Sequence, residues 1–113
     1  MTDKIDDQLN NLLDISTDIK KETELVPLPS RVQNIETDYK YARENLYNLV
    51  ERGQDAIDGI LELSKETEHP RAYEVAGQLI KTVGETAEKL IDLQNKLKKL
   101  EGEEQKVGTQ HNH

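Results

Sequence analysis

Histidines and closely spaced carboxylates are the side chains of this chain whose chemistry could support a reaction or bind a metal. The acidic groups are Asp3, Asp6 and Asp7 near the amino terminus, and Glu101, Glu103 and Glu104 near the other end. Such clusters can bind divalent cations, and imidazoles can bind zinc or act as general bases. A solvated run of charge is the better interpretation of both acidic groups.

The three histidines are also poorly placed for catalysis. His69 directly precedes Pro70, where a helix-capping role is expected, and His111 and His113 lack further ligands nearby. The sequence contains no GxxxxGK[ST], GxGxxG, HExxH or GxSxG motif and no cysteine. We therefore expect a protein that is not an enzyme and that binds no metal or cofactor.

The composition is typical of long helices rather than of a globular core. Of 113 residues, 34% are hydrophobic and 34% are charged, with four Tyr and no Phe or Trp. Straight-chain residues such as Leu, Glu, Lys and Gln lose little rotamer freedom in a helix. We expect one domain with a thin core. The amino terminus lacks a signal-peptide pattern and no run is apolar enough to span a bilayer, so we expect a soluble intracellular protein.

Two successive segments repeat apolar residues at alternating steps of three and four, which is the pattern of a helical seam. They predict an all-α fold with a long, coiled-coil-like antiparallel hairpin over residues 37–102, turning near Pro70 and ending at Gly102. The predicted hairpin seam comprises Leu46, Leu49, Gly53, Ile60, Leu79, Val83, Leu90 and Leu93.

The flanking regions carry weaker patterns. Residues 1–20 contain a short amphipathic stretch, which predicts a helix of two to three turns. Residues 21–36 include Pro27 and Pro29 and predict an extended linker. Residues 103–113 have no apolar periodicity and predict a disordered tail.

The hairpin has more apolar surface than one seam can bury. Outside the seam, the predicted subunit interface comprises Val50, Ile57, Leu61, Ile80 and Ile91. A continuous exposed patch of this kind usually marks an interface, so we expect a homo-oligomer. The alternative is that the amino-terminal helix folds back over this stripe and forms a monomeric three-helix bundle.

Glycines inside the predicted helices are costly, at about 1 kcal/mol each relative to Ala. Gly53 lies on the seam and Gly84 beside it, which predicts close approach of two helices there. Simple tolerance at an exposed position is an equally good interpretation of Gly59.

The charge distribution does not favour tight DNA binding by one subunit. The net charge is −8, and residues 1–36 contain four basic and eight acidic residues. If duplex DNA is bound, Arg43, Arg52, Arg71 and Lys81 repeated around an oligomer are the possible DNA contacts. Ordinary pairing of these cations with neighbouring glutamates is the better-supported interpretation.

Four stretches in order along the chain carry a family resemblance: LLDIS at 12–16, TDYKYAREN at 37–45, HPRAYEVAGQLI at 69–80 and EQKVGT at 104–109. Together they resemble the small terminase subunit of T-even-type tailed bacteriophages, a DNA-packaging protein.

The resemblance implies hairpins packed side by side into a homo-oligomeric ring without catalytic activity. It further implies that the ring binds viral double-stranded DNA at packaging initiation, and regulates a large terminase subunit, an ATPase and nuclease, in the host cytoplasm. Two departures are that no DNA-binding motif is visible and that relatives continue beyond the VGT stretch. The alternative function is a coiled-coil adaptor or chaperone whose apolar groove binds a client helix.

Overall fold

The chain folds into three long helices, and its computed structural model describes residues 3–29, 35–66 and 68–111. Helix α1 spans Asp3–Leu25, α2 spans Ile35–Glu66 and α3 spans Pro70–His111. No strand occurs in these three ranges. The all-α class predicted from composition and periodicity is confirmed.

The helices form one rod with extents of 75 × 17 × 14 Å. Because only three residues separate Glu66 from Pro70, α2 and α3 run antiparallel as a hairpin. Helix α1 runs parallel to α3, since Ser16 contacts Thr82 and, further along both helices, Thr23 contacts Thr86. The fold is therefore a three-helix bundle in which α1 packs along one side of the hairpin.

The predicted seam lies at the centre of the bundle. Six of its residues are buried, namely Leu46, Leu49, Gly53, Ile60, Leu79 and Leu93, and Val83 and Leu90 are half-buried. Leu9 of α1 completes a first cluster of buried residues, together with Ile60 and Leu79. Ile19 joins Leu46 and Leu93 in a second cluster.

Helix α1 is much longer than the two to three turns predicted over residues 1–20, because it has 23 residues and ends at Leu25. Its three- and four-residue spacing continues through Ser16, Ile19 and Thr23, all buried against the hairpin. Two of these three residues are polar, so a prediction based on apolar residues alone ends the helix too early. Packing along the hairpin stabilises a helix of this length, and Pro27 disfavours helix at the residue before it.

The boundaries at two other places also differ from the prediction. The proposed linker 21–36 includes the last turn of α1 and the first residues of α2, and its residues 30–34 lie outside the described residues. Helix α3 passes Gly102 and continues to His111, where a disordered tail was expected. Propagating an existing helix adds one hydrogen bond per residue, which offsets the cost of Gly102 and Gly108. His113 lies outside the described residues.

The hairpin turn is held by a side-chain cap. The backbone N–H of Arg71 donates to Nδ1 of His69 at 3.3 Å, and the N–H of Ala72 donates to the His69 carbonyl at 2.9 Å. These bonds satisfy donors at the first turn of α3, which have no partner within the helix. Nε2 of the same imidazole lies 3.7 Å from a carboxylate oxygen of Asp6. His69 therefore caps α3 and ties the turn to α1.

Candidate assembly surface

A stripe of apolar side chains along α2 and α3 remains unburied in the bundle. Ile80 is 59% exposed, Ile91 55% and Leu61 53%. We call this stripe the outer face and define it by Tyr47, Val50, Ile57 and Leu61 of α2 and Tyr73, Ile80, Ala87 and Ile91 of α3. An apolar stripe along a rod of this length is a typical protein interface.

On α2 the outer face points away from α1. Residues two positions apart in a helix are separated by about 200° around its axis. Val50 is two residues from Arg52, which pairs with a glutamate of α1 at 2.5 Å. Leu61 is two residues from Gly59, where an added Cβ would lie 3.8 Å from a leucine of α1. Both apolar residues therefore lie on the side of α2 opposite α1.

The same relation holds on α3. Ile80 is two residues from Gln78, whose carbonyl accepts a hydrogen bond from Ser16 of α1 at 3.5 Å. Ile91 is two residues from Lys89, whose Nζ donates to a carbonyl of α1 at 2.6 Å. The exposed isoleucines thus share the side of the hairpin that the exposed residues of α2 occupy. The hairpin has two faces, of which α1 covers one.

The antiparallel register aligns the two halves of the outer face in layers. Gly53 lies against Val83, which fixes the register of α2 on α3. Counting four residues outward in opposite directions places Ile57 level with Leu79, next to Ile80, and counting eight places Leu61 level with Val75, midway between Tyr73 and Gly77. On the outer face, Ile57 therefore lies beside Ile80, and Leu61 lies between the levels of Tyr73 and Gly77, which gives an uneven surface that another helix pair could interlock with.

The glycines separate into two kinds. A Cβ added at Gly53 would lie 2.2 Å from Cγ2 of Val83, so this glycine permits close packing of α2 and α3 within one chain. Gly77 and Gly84 are exposed beside the outer face, and an added Cβ would meet nothing within 4 Å. The predicted close approach therefore has an intrachain cause at Gly53, whereas no contact within the chain accounts for Gly84.

The structure brings the five predicted interface residues together on the outer face. Leu61, Ile80 and Ile91 are exposed, whereas Val50 and Ile57 are half-buried at the edge of the seam. Sequence reasoning missed Tyr47 and Tyr73, which are 41% and 65% exposed. Their spacing would have found them, because Tyr47 precedes Val50 by three residues and Tyr73 precedes Ile80 by seven.

The four basic residues suggested as DNA contacts are not gathered into one patch. The Arg43 guanidinium lies 5.1 Å from the ring centroid of Tyr47, near the start of α2. Arg52 pairs with Glu22, and Arg71, at the opposite end of the bundle, pairs with Asp6 and hydrogen-bonds to Asn10. Lys81 is exposed. A single subunit therefore presents separate cations, three of which already have partners.

Neither a metal site nor a membrane-spanning helix occurs in the described ranges. No group of three or more His, Asp or Glu side chains there is arranged to hold a metal ion. None of the three helices, over the residues described, is long and apolar enough to cross a membrane. The outer face, with Leu61, Ile80 and Ile91 exposed, is the candidate functional surface of this part of the chain.

Comparison with known proteins gives a family match. No curated protein and no solved structure matches the chain. A family model described as terminase DNA packaging enzyme matches residues 8–112, which is nearly the whole sequence and includes all of the outer face. The chain therefore belongs to the terminase DNA-packaging family.

Proposed function

We propose that this chain is the small, regulatory terminase subunit of a T-even-type bacteriophage, and that it acts as a homo-oligomeric ring. In this proposal the ring binds viral DNA when packaging begins and regulates a separate large subunit in the host cytoplasm. The chain itself catalyses no reaction. The observation that carries the proposal is the outer face, where Leu61, Ile80 and Ile91 are each more than half exposed on the side of the hairpin opposite α1.

The energetics of the outer face favour association. Burying the remaining exposed area of Leu61, Ile80 and Ile91 would contribute about 2.5 to 5 kcal/mol per subunit, taking about 1.5 to 3 kcal/mol for one fully buried aliphatic side chain. Each subunit of a closed assembly makes two such contacts, so the gain accumulates around the ring. The two tyrosines add amphipathic area that suits a protein interface.

Assembly would also compensate for the weak basic character of one chain. Each subunit has a net charge of −8 and separate cations, which disfavours binding to DNA phosphates. Repeating Lys81 or Arg43 around a ring multiplies weak contacts into useful avidity without any new contact in the subunit. DNA binding should therefore depend on assembly.

The proposal is tested by two matched charge substitutions on α3. Ile80→Lys places a cation in the outer face, and Gln78→Lys places the same cation two residues away on the opposite side of the helix. Native mass spectrometry and light scattering should show a large oligomer for the unsubstituted chain and for Gln78→Lys. Ile80→Lys should give small species, because burying an unpaired ammonium in an apolar contact is unfavourable.

Duplex DNA binding by the same three proteins supplies the second measurement. Fluorescence anisotropy should show strong, salt-sensitive binding for the two assembling proteins and weak binding for Ile80→Lys, although that variant carries an added positive charge. An unsubstituted chain that stays monomeric at high concentration would overturn the proposal. A monomer that instead captures a foreign amphipathic helix on its outer face would support the adaptor alternative.

A further inference from the structure

The outer face changes from apolar to basic towards the end of the bundle that lies away from the hairpin turn. Arg43 is four residues before Tyr47 and Lys40 is seven residues before it, so both cations lie on the same side of α2 as this tyrosine. On α3, Lys98 is seven residues after Ile91 and shares its side of the helix. All three basic side chains are exposed. They extend the outer face beyond its apolar part.

The register of the hairpin brings these three cations close to one another. The contact between Gly53 and Val83 fixes the position of α2 along α3. Lys40 is thirteen residues from this glycine and Lys98 is fifteen residues from this valine, so the two lysines differ in level by about 3 Å. Arg43 is three residues from Lys40, about 4.5 Å along the same helix. Packed helix axes are about 8 to 10 Å apart, so these long side chains form one basic group, which we call the basic end.

The cations of the basic end are available to a ligand. No ion pair within the described ranges involves Arg43, Lys40 or Lys98. Cζ of Arg43 lies 5.1 Å from the ring centroid of Tyr47, a contact that orients the guanidinium and leaves its N–H groups able to donate. Arg52, in contrast, already pairs with a carboxylate of α1. The basic end therefore differs from the paired arginines elsewhere on the bundle.

The carboxylates nearest the basic end are exposed and flank it. Glu36 and Glu44 are four residues on either side of Lys40, and Glu101 is three residues after Lys98. Pairs at these spacings on a helix surface are weak in water and are screened by salt. A phosphate group that accepts hydrogen bonds from several cations at once can therefore compete with them.

We propose that the basic end is the part of each subunit that contacts DNA, and that it binds the backbone phosphates of a duplex. This inference rests on the proposed function and adds where on the rod DNA is held. Membership of a DNA-packaging family favours a nucleic acid over an acidic protein as the ligand. Cations that contact phosphates do not read the bases, so binding at this site is independent of sequence. Repeated around an assembly, the site forms one basic band at the end opposite the hairpin turns.

Two triple substitutions test the basic end, and each removes three positive charges from every subunit. The first changes the basic end itself, by Lys40→Gln, Arg43→Gln and Lys98→Gln. The matched control changes exposed lysines of α1, by Lys4→Gln, Lys20→Gln and Lys21→Gln. Fluorescence anisotropy should show that the first variant binds a duplex roughly tenfold more weakly or worse, with a shallower salt dependence, whereas the control binds like the unsubstituted chain. Native mass spectrometry should show the large oligomer for both variants.

Lysine acetylation of the assembled, unsubstituted chain gives a second measurement, which holds even where a substituted chain fails to assemble. A bound duplex should protect Lys40 and Lys98 from acetylation, while Lys4, Lys20 and Lys21 react equally with and without DNA. Equal DNA binding by the two triple variants, or no protection of Lys40 and Lys98, would overturn this inference and leave the ring and its DNA binding intact. An unsubstituted chain that assembles but binds no duplex would overturn the inference together with the DNA-binding part of the proposed function.

Discussion

The two faces of the hairpin come from the same two helices and the same spacing, yet one is covered and the other is not. The face of the hairpin that α1 covers includes small residues such as Ala56 and Ala72, and Leu9 of α1 packs against them. The outer face carries Ile80 and Ile91, each more than half exposed. The difference teaches that a wide apolar helix face can contain two separate packing surfaces, one for the chain itself and one available to a partner.

The comparison also resolves the two alternatives raised by the sequence. The amino-terminal helix does fold back on the hairpin, as the monomeric alternative required, and forms a three-helix bundle. It packs on the side opposite the predicted interface, however, so Leu61, Ile80 and Ile91 remain exposed. A bundle within one chain and an apolar surface for association are therefore compatible.

The strongest test of the two faces compares adjacent residues of α3. Leu79 is fully buried and Ile80 is 59% exposed. Leu79→Ala should lower the free energy of unfolding by about 2 to 5 kcal/mol because it leaves a cavity. Ile80→Ala should change it by roughly 0.5 kcal/mol or less. Urea denaturation at a concentration too low for assembly measures both, and equal losses would show that the faces do not differ as described.

Substitutions of two glycines are expected to change stability by an intermediate amount. Gly53→Ala should destabilise the fold by about 1 to 3 kcal/mol, because Val83 is branched at Cβ and cannot easily move from the added methyl group. Gly84→Ala should stabilise the isolated bundle by up to about 1 kcal/mol through helix propensity. If α3 approaches a neighbour closely at this point, the same change should weaken assembly.

Gly59→Ala is the matched control for that effect. Gly59 is also exposed in a helix, but it lies on the α1 side, in ordinary contact distance of Leu12. The Gly59→Ala substitution should increase stability by a similar amount and leave the mass of the oligomer unchanged. Thermal unfolding and light scattering measure the two properties separately. If the Gly59→Ala and Gly84→Ala variants assemble equally well, Gly84 does not lie in the interface between subunits.

The smallest expected effect concerns the hydroxyl pairs between α1 and α3. Thr86→Val removes one partner of Thr23 and should destabilise the bundle by about 1 kcal/mol, since Thr23 keeps its bond to the Ile19 carbonyl. Replacing Thr23 by Val as well should recover most of the loss, because two apolar groups of similar shape then meet. A double-mutant cycle measures the coupling, and strictly additive losses would contradict a direct hydroxyl contact.

The hairpin could be predicted from sequence because its periodicity is local. Leu46, Leu79 and Leu93 recur with helical spacing, and Pro70 begins the second helix as expected. The length of α1 could not be predicted in the same way. Its continuation depends on Ser16 and Thr23, whose burial is favourable only because hydroxyls on α3 face them. That pairing is a property of the tertiary structure and leaves no apolar signal in the sequence.

The residues of the outer face could be predicted from the sequence, but the position of α1 relative to them could not. Val50 and Ile80 could be assigned outside the seam by counting residues, whereas the side on which α1 packs depends on contacts such as that between Glu22 and Arg52. The same contact shows why charge alone was a poor guide to DNA binding. A cation chosen from the sequence can already be paired with a carboxylate brought close by the fold.

The unequal lengths of α2 and α3 give any assembly of these rods two unlike ends. The helices begin flush at the short turn, and α3 has 42 residues against 32 in α2, so α3 projects roughly 15 Å farther at 1.5 Å per residue. Subunits aligned side by side would place the turns between α2 and α3 at one end of the assembly. The last part of α3, which extends beyond α2, would lie at the other end. The two ends of such an assembly would therefore differ, and a partner that binds at one end would contact different side chains from a partner that binds at the other.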